Sequence, residues 1–203
     1  MTKRTKRDEQ AVKYAAELAE RNIGVQISQF ATHPDAVQLQ ELTDKVIAWA
    51  AERDILKYST PAAQFLKTVE ELGELASATA KADKAAIADA IGDVTVTLII
   101  ATKLAGLNMP HTTVSTQRLF SPVEAVLALT MDCMSVAATV KADMDSLKGL
   151  MQGLILQMTT DTLNNCAIVN ELRLVDCLQL AYDTIKDRKG HLTPEGIFVK
   201  EEK

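Results

Sequence analysis

Lys67-Thr68-Val69-Glu70-Glu71-Leu72-Gly73-Glu74-Leu75 and, further on, Asp89-Ala90-Ile91-Gly92-Asp93-Val94 decide how the chain folds. Both stretches have helical periodicity. At about 100° per residue, Glu71 and Glu74 share a stripe with Gln64, Lys67 and Lys81, while Phe65, Val69, Leu72 and Ala76 form an apolar stripe facing roughly the other way. Asp89 and Asp93 stand one turn apart, in line with Val96 and Ile100. The polar break Lys81-Ala82-Asp83-Lys84 lets the helices return as an antiparallel hairpin. Four carboxylates then converge in an apolar groove, where like charges repel unless a cation sits among them. Oxygen-only ligands on two facing helices suit Mg²⁺, with Mn²⁺ as a substitute.

The rest of the chain supports an all-α fold, an antiparallel helical bundle around this carboxylate-bearing hairpin. The sequence has 203 residues, is rich in small and aliphatic side chains, and is poor in aromatics, with 8 Gly and 5 Pro. One domain is expected: N-terminal helices over 1–58, the catalytic hairpin over 61–108, a second hairpin over 121–165, and a closing helix and tail over 171–203. Helices are predicted for Asp8–Asn22 and from Pro34 to about Arg53, with 23–30 as a connector. Ser59-Thr60-Pro61 caps the Glu helix, and the Asp helix runs to Leu104 before Gly106 and Pro110. After a polar linker over 111–117, Ser121-Pro122 opens a helix to Asp143; others cover Leu147–Asn165 and Glu171–Lys186. Gly196–Val199 is the one strand candidate.

A 60-residue displacement carries Lys81-Ala82-Asp83 onto Lys141-Ala142-Asp143, and Thr60-Pro61 matches Ser121-Pro122 after a one-residue gap. In that register Glu71 and Glu74 meet Met131 and Met134, and Asp89 and Asp93 meet Gly149 and Gly153. The expectation is an internally duplicated four-helix core with one acidic site and a second hairpin that serves only packing. A chance alignment of Ala-rich helices is the alternative. Met131, Met134 and Met144 are read as core filler.

Net charge is −5 with mixed signs, which calls for no nucleic-acid polymer. The basic start Lys3-Arg4-Thr5-Lys6-Arg7 reads as a solvated terminus. Cys133, Cys166 and Cys177, lacking metal-ligand spacing, are expected to be buried and reduced, which suits a cytoplasmic location. No signal peptide is visible, and the longest apolar stretch, Val94–Leu107, is short for a bilayer and carries Lys103. A di-iron bundle needs Glu-x-x-His pairs, and His33, His111 and His191 supply none. Lys67 and Lys81, with Lys186, Arg188 and Lys189, are placed to neutralise a polyphosphate. Trp49 reads either as a base-stacking platform or as a core residue, and Gln64 as a base reader or a surface residue.

Glu70-Glu71-Leu72-Gly73-Glu74 followed by Asp89-Ala90-Ile91-Gly92-Asp93-Val94 resembles the MazG-like all-α nucleoside triphosphate pyrophosphohydrolases, a group that includes dimeric dUTPases and dCTPase-like enzymes. Trp49–Ile55, Pro61, Gln64 and Lys67 are similar to the lead-in of its short phage-type members, and Ala181–Gly190 with Gly196–Lys200 to their closing segment. The resemblance covers about 46–109 and 171–200. It implies Mg²⁺-dependent cleavage of (deoxy)nucleoside triphosphates between the α- and β-phosphates, giving monophosphate and pyrophosphate, by a homo-oligomer. By motif position Glu71, Glu74 and Asp93 are metal ligands, Glu70 or Glu71 handles the attacking water, and Lys186 and Arg188 meet the phosphates. The family's second motif carries Glu at the position of Ala90, and Asp89 is the substitute on offer. The other reading is a non-catalytic helical interaction protein whose metal site has decayed.

Overall fold

The computed structural model describes residues 34–110, 120–141 and 148–201. The expected helix at 8–22, the connector, the basic start, the 111–117 linker, His33, His111 and Met144 lie outside the described residues. Among the described residues, seven helices and two strands follow in order: α1 Pro34–Glu52, α2 Ile55–Tyr58, α3 Pro61–Ala80, α4 Lys84–Leu104, α5 Pro122–Lys141, α6 Lys148–Val169, α7 Leu174–Ile185, β1 Gly190–Leu192 and β2 Phe198–Lys200. The fold is all-α.

Local chemistry explains where the helices of the acidic hairpin begin. The Thr60 side chain accepts from the Ala63 N–H at 3.1 Å, with Pro61 in the first turn. Asp83 does the same for the Ala86 N–H at 3.1 Å, so its carboxylate sits at the positive end of α4. Between them Ala82 takes φ 53, a left-handed residue that tightens the reversal. α3 and α4 lie against each other as an antiparallel pair, α5 and α6 form a second, and α5 packs on α3 while α6 packs on α4. α1 and α7 cover the outer side of α4. Ion pairs Arg173–Asp35 and Lys84–Glu171 tie the N-terminal ends of α1, α4 and α7 to one pole.

α4 is the centre of the core. Ile91, Val94, Leu98 and Ala101 are fully buried there, among Leu42, Val46, Leu75, Leu163 and Leu178. A helix apolar on all sides belongs inside. Gly92 makes this possible: a Cβ there would stand 2.3 Å from the Cys177 carbonyl oxygen, so α7 approaches on bare backbone. By length and composition alone, α4 and Pro122–Val140 of α5 are each long and apolar enough to cross a membrane. The α4 helix is longer than the Val94–Leu107 apolar stretch because it extends N-terminally through Ile91 and Ile87, and most of it is buried in the core.

Other expectations change in detail. The buried face of α3 is Phe65, Thr68, Leu72, Leu75 and Ala78, while Val69 is exposed, as is Ala76. The core stripe is therefore rotated toward the acids, because α4 and the C-terminal segment both wrap that side. α6 continues to Val169, four residues past the expected end, and Glu171 at φ 57 breaks the chain before α7 opens at Leu174. The tail strand has a partner that sequence inspection missed: β1 pairs antiparallel with β2, Leu192 opposite Phe198. All three cysteines are free and buried.

Met131 and Met134 are not core filler. They are 71% and 39% exposed, on an uncovered α5 stripe with Val123 and Leu127. The burial pattern also corrects the internal register. Residues 125, 126, 129, 133 and 136 of α5 are buried, as are 64, 65, 68, 72 and 75 of α3, a displacement of 61 and not 60. In that register Glu71 corresponds to Asp132, whose carboxylate accepts from Thr162 Oγ1 of α6 at 2.7 Å.

Candidate functional site

A cavity of about 510 Å³ opens on the acidic face of the α3–α4 hairpin. Glu70, Glu71, Glu74, Gln64 and Lys67 line it from α3, and Asp93, Val96, Thr97 and Ile100 from α4. Trp49 and Ile55 supply one wall, and Ile185, Arg188 and 197–200 the roof. The cavity is acidic at the hairpin, cationic at its rim and apolar toward Trp49, Ile55 and Phe198.

Burial sets the protonation of the acids. Asp93 is half-buried, and desolvation, then the charges of Glu71 and Asp89, lift its pKa to about 7, with Arg188 opposing. Burial likewise pushes Glu71 up, against the pull of Lys67, with Glu74 and Glu70 adding repulsion. The Lys67 ammonium lies 2.6 Å from Glu70 and 3.5 Å from Glu71. Burial acts to lower its pKa, but the Glu70 hydrogen bond and the Glu71 charge outweigh that and hold it raised. This is an acid cluster short of positive charge.

The predicted residues divide clearly. Glu70, Glu71, Glu74, Asp93, Gln64, Lys67, Trp49 and Arg188 share the cavity. Asp89, one turn from Asp93 toward the start of α4, is exposed and outside the lining, though its charge still acts on Asp93. Ala90 beside it is buried in the core. Lys81 caps the far end of α3, away from the cavity. Lys186 pairs with Asp183 at 2.8 Å and Lys189 is exposed on the tail; neither reaches the lining. Among the described residues, no three His, Cys, Asp or Glu side chains are gathered closely enough to hold a metal ion as they stand. The donor set itself, three carboxylates on two helices, is the oxygen chemistry that Mg²⁺ takes.

Gln64 is buried, and its Nε2 donates to Ser59 Oγ at 3.0 Å, so its amide is held at the cavity wall instead of lying on the surface. Trp49 is no open stacking platform. Its Nε1 donates to the Ile185 carbonyl at 2.8 Å, the Arg53 guanidinium covers its ring at 4.8 Å, and Phe198 meets it edge-on at 5.6 Å. Sequence inspection placed Lys200 and Arg53 inside the resembling segments but gave neither a role at the site. Lys200 reaches the cavity only through the β1–β2 pairing, and Arg53 acts through backbone carbonyls that no side-chain pattern reveals.

No family model matches the chain, and no solved structure matches it. The chain is similar to an uncharacterized 18.2 kDa protein in the rep-hol intergenic region of Haemophilus phage HP1, 43% identical over 65 residues. That segment is 32% of this chain and 40% of the phage protein, so the chain spans less than half the length of this relative.

Proposed function

We propose that the chain is a MazG-like nucleoside triphosphate pyrophosphohydrolase, cleaving (deoxy)nucleoside triphosphates to monophosphate and pyrophosphate in nucleotide-pool control. The observation that carries this reading is the convergence of Glu71, Glu74 and Asp93 on one cavity with Lys67, Arg188 and Lys200. Acids facing acids favour a divalent cation, and surrounding cations favour phosphate. A volume of about 510 Å³ lies within the range of small-ligand pockets, and its apolar end offers a base a dry surface.

Glu71, Glu74 and Asp93 would hold Mg²⁺, or Mn²⁺ in its place, and the ion when bound supplies charge for phosphate oxygens. Each residue then has a task that its position supports. Glu70, on the exposed side of the stripe, accepts a proton from water as the water attacks the α-phosphorus; Glu71 is the alternative base. The bond to the β-phosphate oxygen breaks and pyrophosphate leaves against Arg188 and Lys200. Lys67 spans Glu70 and Glu71 at the cavity wall, where its ammonium would meet a phosphate oxygen. Gln64 meets the base edge. A homodimer and a cytoplasmic setting complete the proposal, and the mass in solution tests the former.

Purified protein assayed for Mg²⁺-dependent pyrophosphate release tests the activity, with Glu71→Gln as the inactive control. The second reading, a helical interaction protein whose metal site has decayed, draws on two observations: Ala90 is buried where the family has an acid, and Asp89 is exposed and outside the cavity lining. Absence of Mg²⁺-dependent turnover with every common nucleotide favours it.

A further inference from the structure

We propose that Arg53 is a positioning residue that fixes Arg188 at the cavity. α1 ends at Glu52, and Asp54 at φ 58 turns the chain, which leaves the Arg53 side chain at the last turn of α1 beside the end of α7. There its guanidinium donates to three carbonyls. Nε reaches the Arg188 carbonyl at 2.9 Å, one terminal nitrogen the Lys186 carbonyl at 2.8 Å, and the other the Trp49 carbonyl at 3.3 Å. The last carbonyls of a helix have no partners within it. Trp49 adds a donor to the Ile185 carbonyl at the end of α7, beside the Arg188 N–H, and Arg53 bonds the Lys186 and Arg188 carbonyls just beyond it.

This ties the segment that carries Arg188 to the helix that carries Trp49. Arg188 lines the cavity and its charge acts on Asp93, whereas Arg53 does not line it. The planar fork matters more than the charge. A lysine keeps a cation near the indole but lacks the planar fork that holds two N–H donors on the Lys186 and Arg188 carbonyls at once. The cation at the site is thus aimed by a second cation that does not touch substrate.

This inference rests on the reading of the cavity as a phosphate site, and its test separates the two. Arg53→Lys, Arg188→Ala and the double variant are compared for KM and kcat with the nucleotide that the wild type cleaves best. Binding of inorganic triphosphate in Mg²⁺ is followed by calorimetry. Arg53→Lys is expected to raise KM and weaken triphosphate binding about tenfold, as loss of charge-assisted hydrogen bonds does, and to have no further effect in the Arg188→Ala background. An equal loss in both backgrounds, or no loss in a folded Arg53→Lys protein, overturns the proposal. If the wild type neither cleaves nucleotides nor binds triphosphate, the phosphate reading fails. The positioning role is then decided by amide exchange. Faster exchange confined to 186–201 in Arg53→Lys supports it, and unchanged exchange there overturns it.

Discussion

Glu71 on α3 and Asp93 on α4 face one cavity across the hairpin, and the Glu71 charge makes Asp93 harder to ionise. The pH dependence follows with a definite sign. With a folded pKa of about 7 against an unfolded value near 3.8, Asp93 keeps its proton between those limits while the unfolded chain gives it up. Stability is therefore lost as pH rises from about 4 to 7, and the loss is complete above 7. Asp93→Asn is expected to be more stable than wild type at pH 8, by about 2–4 kcal/mol, and nearly equal to it at pH 4. Urea unfolding at both pH values checks this.

Gly92 and Gly73 stand in the same hairpin and predict opposite outcomes. Gly92→Ala drives a methyl into the Cys177 carbonyl, 2.3 Å away, and into Ala181 Cβ at 2.8 Å; a loss of about 3 kcal/mol is expected as α7 is displaced. Gly73 is exposed with nothing within 4 Å, so Gly73→Ala gains about 1 kcal/mol of helix propensity. Thermal midpoints of the two variants test the pair.

Trp49→Phe keeps most of the packing but removes the indole N–H from the Ile185 carbonyl, which is left with the Arg188 N–H alone. The expected cost is about 1–2 kcal/mol, with faster amide exchange at the end of α7. A change confined to nucleotide affinity, with stability intact, would return Trp49 to the stacking role.

Asp132 stands in the second hairpin where Glu71 stands in the first, and Thr162 of α6 holds its carboxylate. Thr162→Val removes a 2.7 Å hydrogen bond to a carboxylate and is expected to cost about 1–2 kcal/mol in urea. Activity should be untouched, since neither residue lines the cavity.

Much of this was legible in the sequence, for physical reasons. Periodicity placed Gln64, Lys67, Glu71 and Glu74 on one stripe, and Asp93 with Val96 and Ile100 on another, because a helix repeats its faces faithfully. Periodicity alone says nothing of what packs on a face. The stripe of α3 was therefore misread at Val69, and Met131 and Met134 were sent to the core although they face outward. Asp89 was legible as a helical neighbour of Asp93, but whether its short side chain points into the groove depends on how α4 is rotated against α7. Long-range devices left no local trace: β1 is three residues long, and Arg53 meets carbonyls more than 130 positions away. The one-residue slip in the internal comparison arose because Lys-Ala-Asp matched by identity, whereas burial follows Pro61 and Pro122.

The central claim is tested most directly by offering the purified protein each of the eight common nucleoside and deoxynucleoside triphosphates with Mg²⁺, and measuring pyrophosphate and monophosphate together. The account predicts equimolar release from at least one of them, lost on chelation and lost in Glu71→Gln with helicity unchanged. No release from any nucleotide, or release that survives Glu71→Gln, would contradict it.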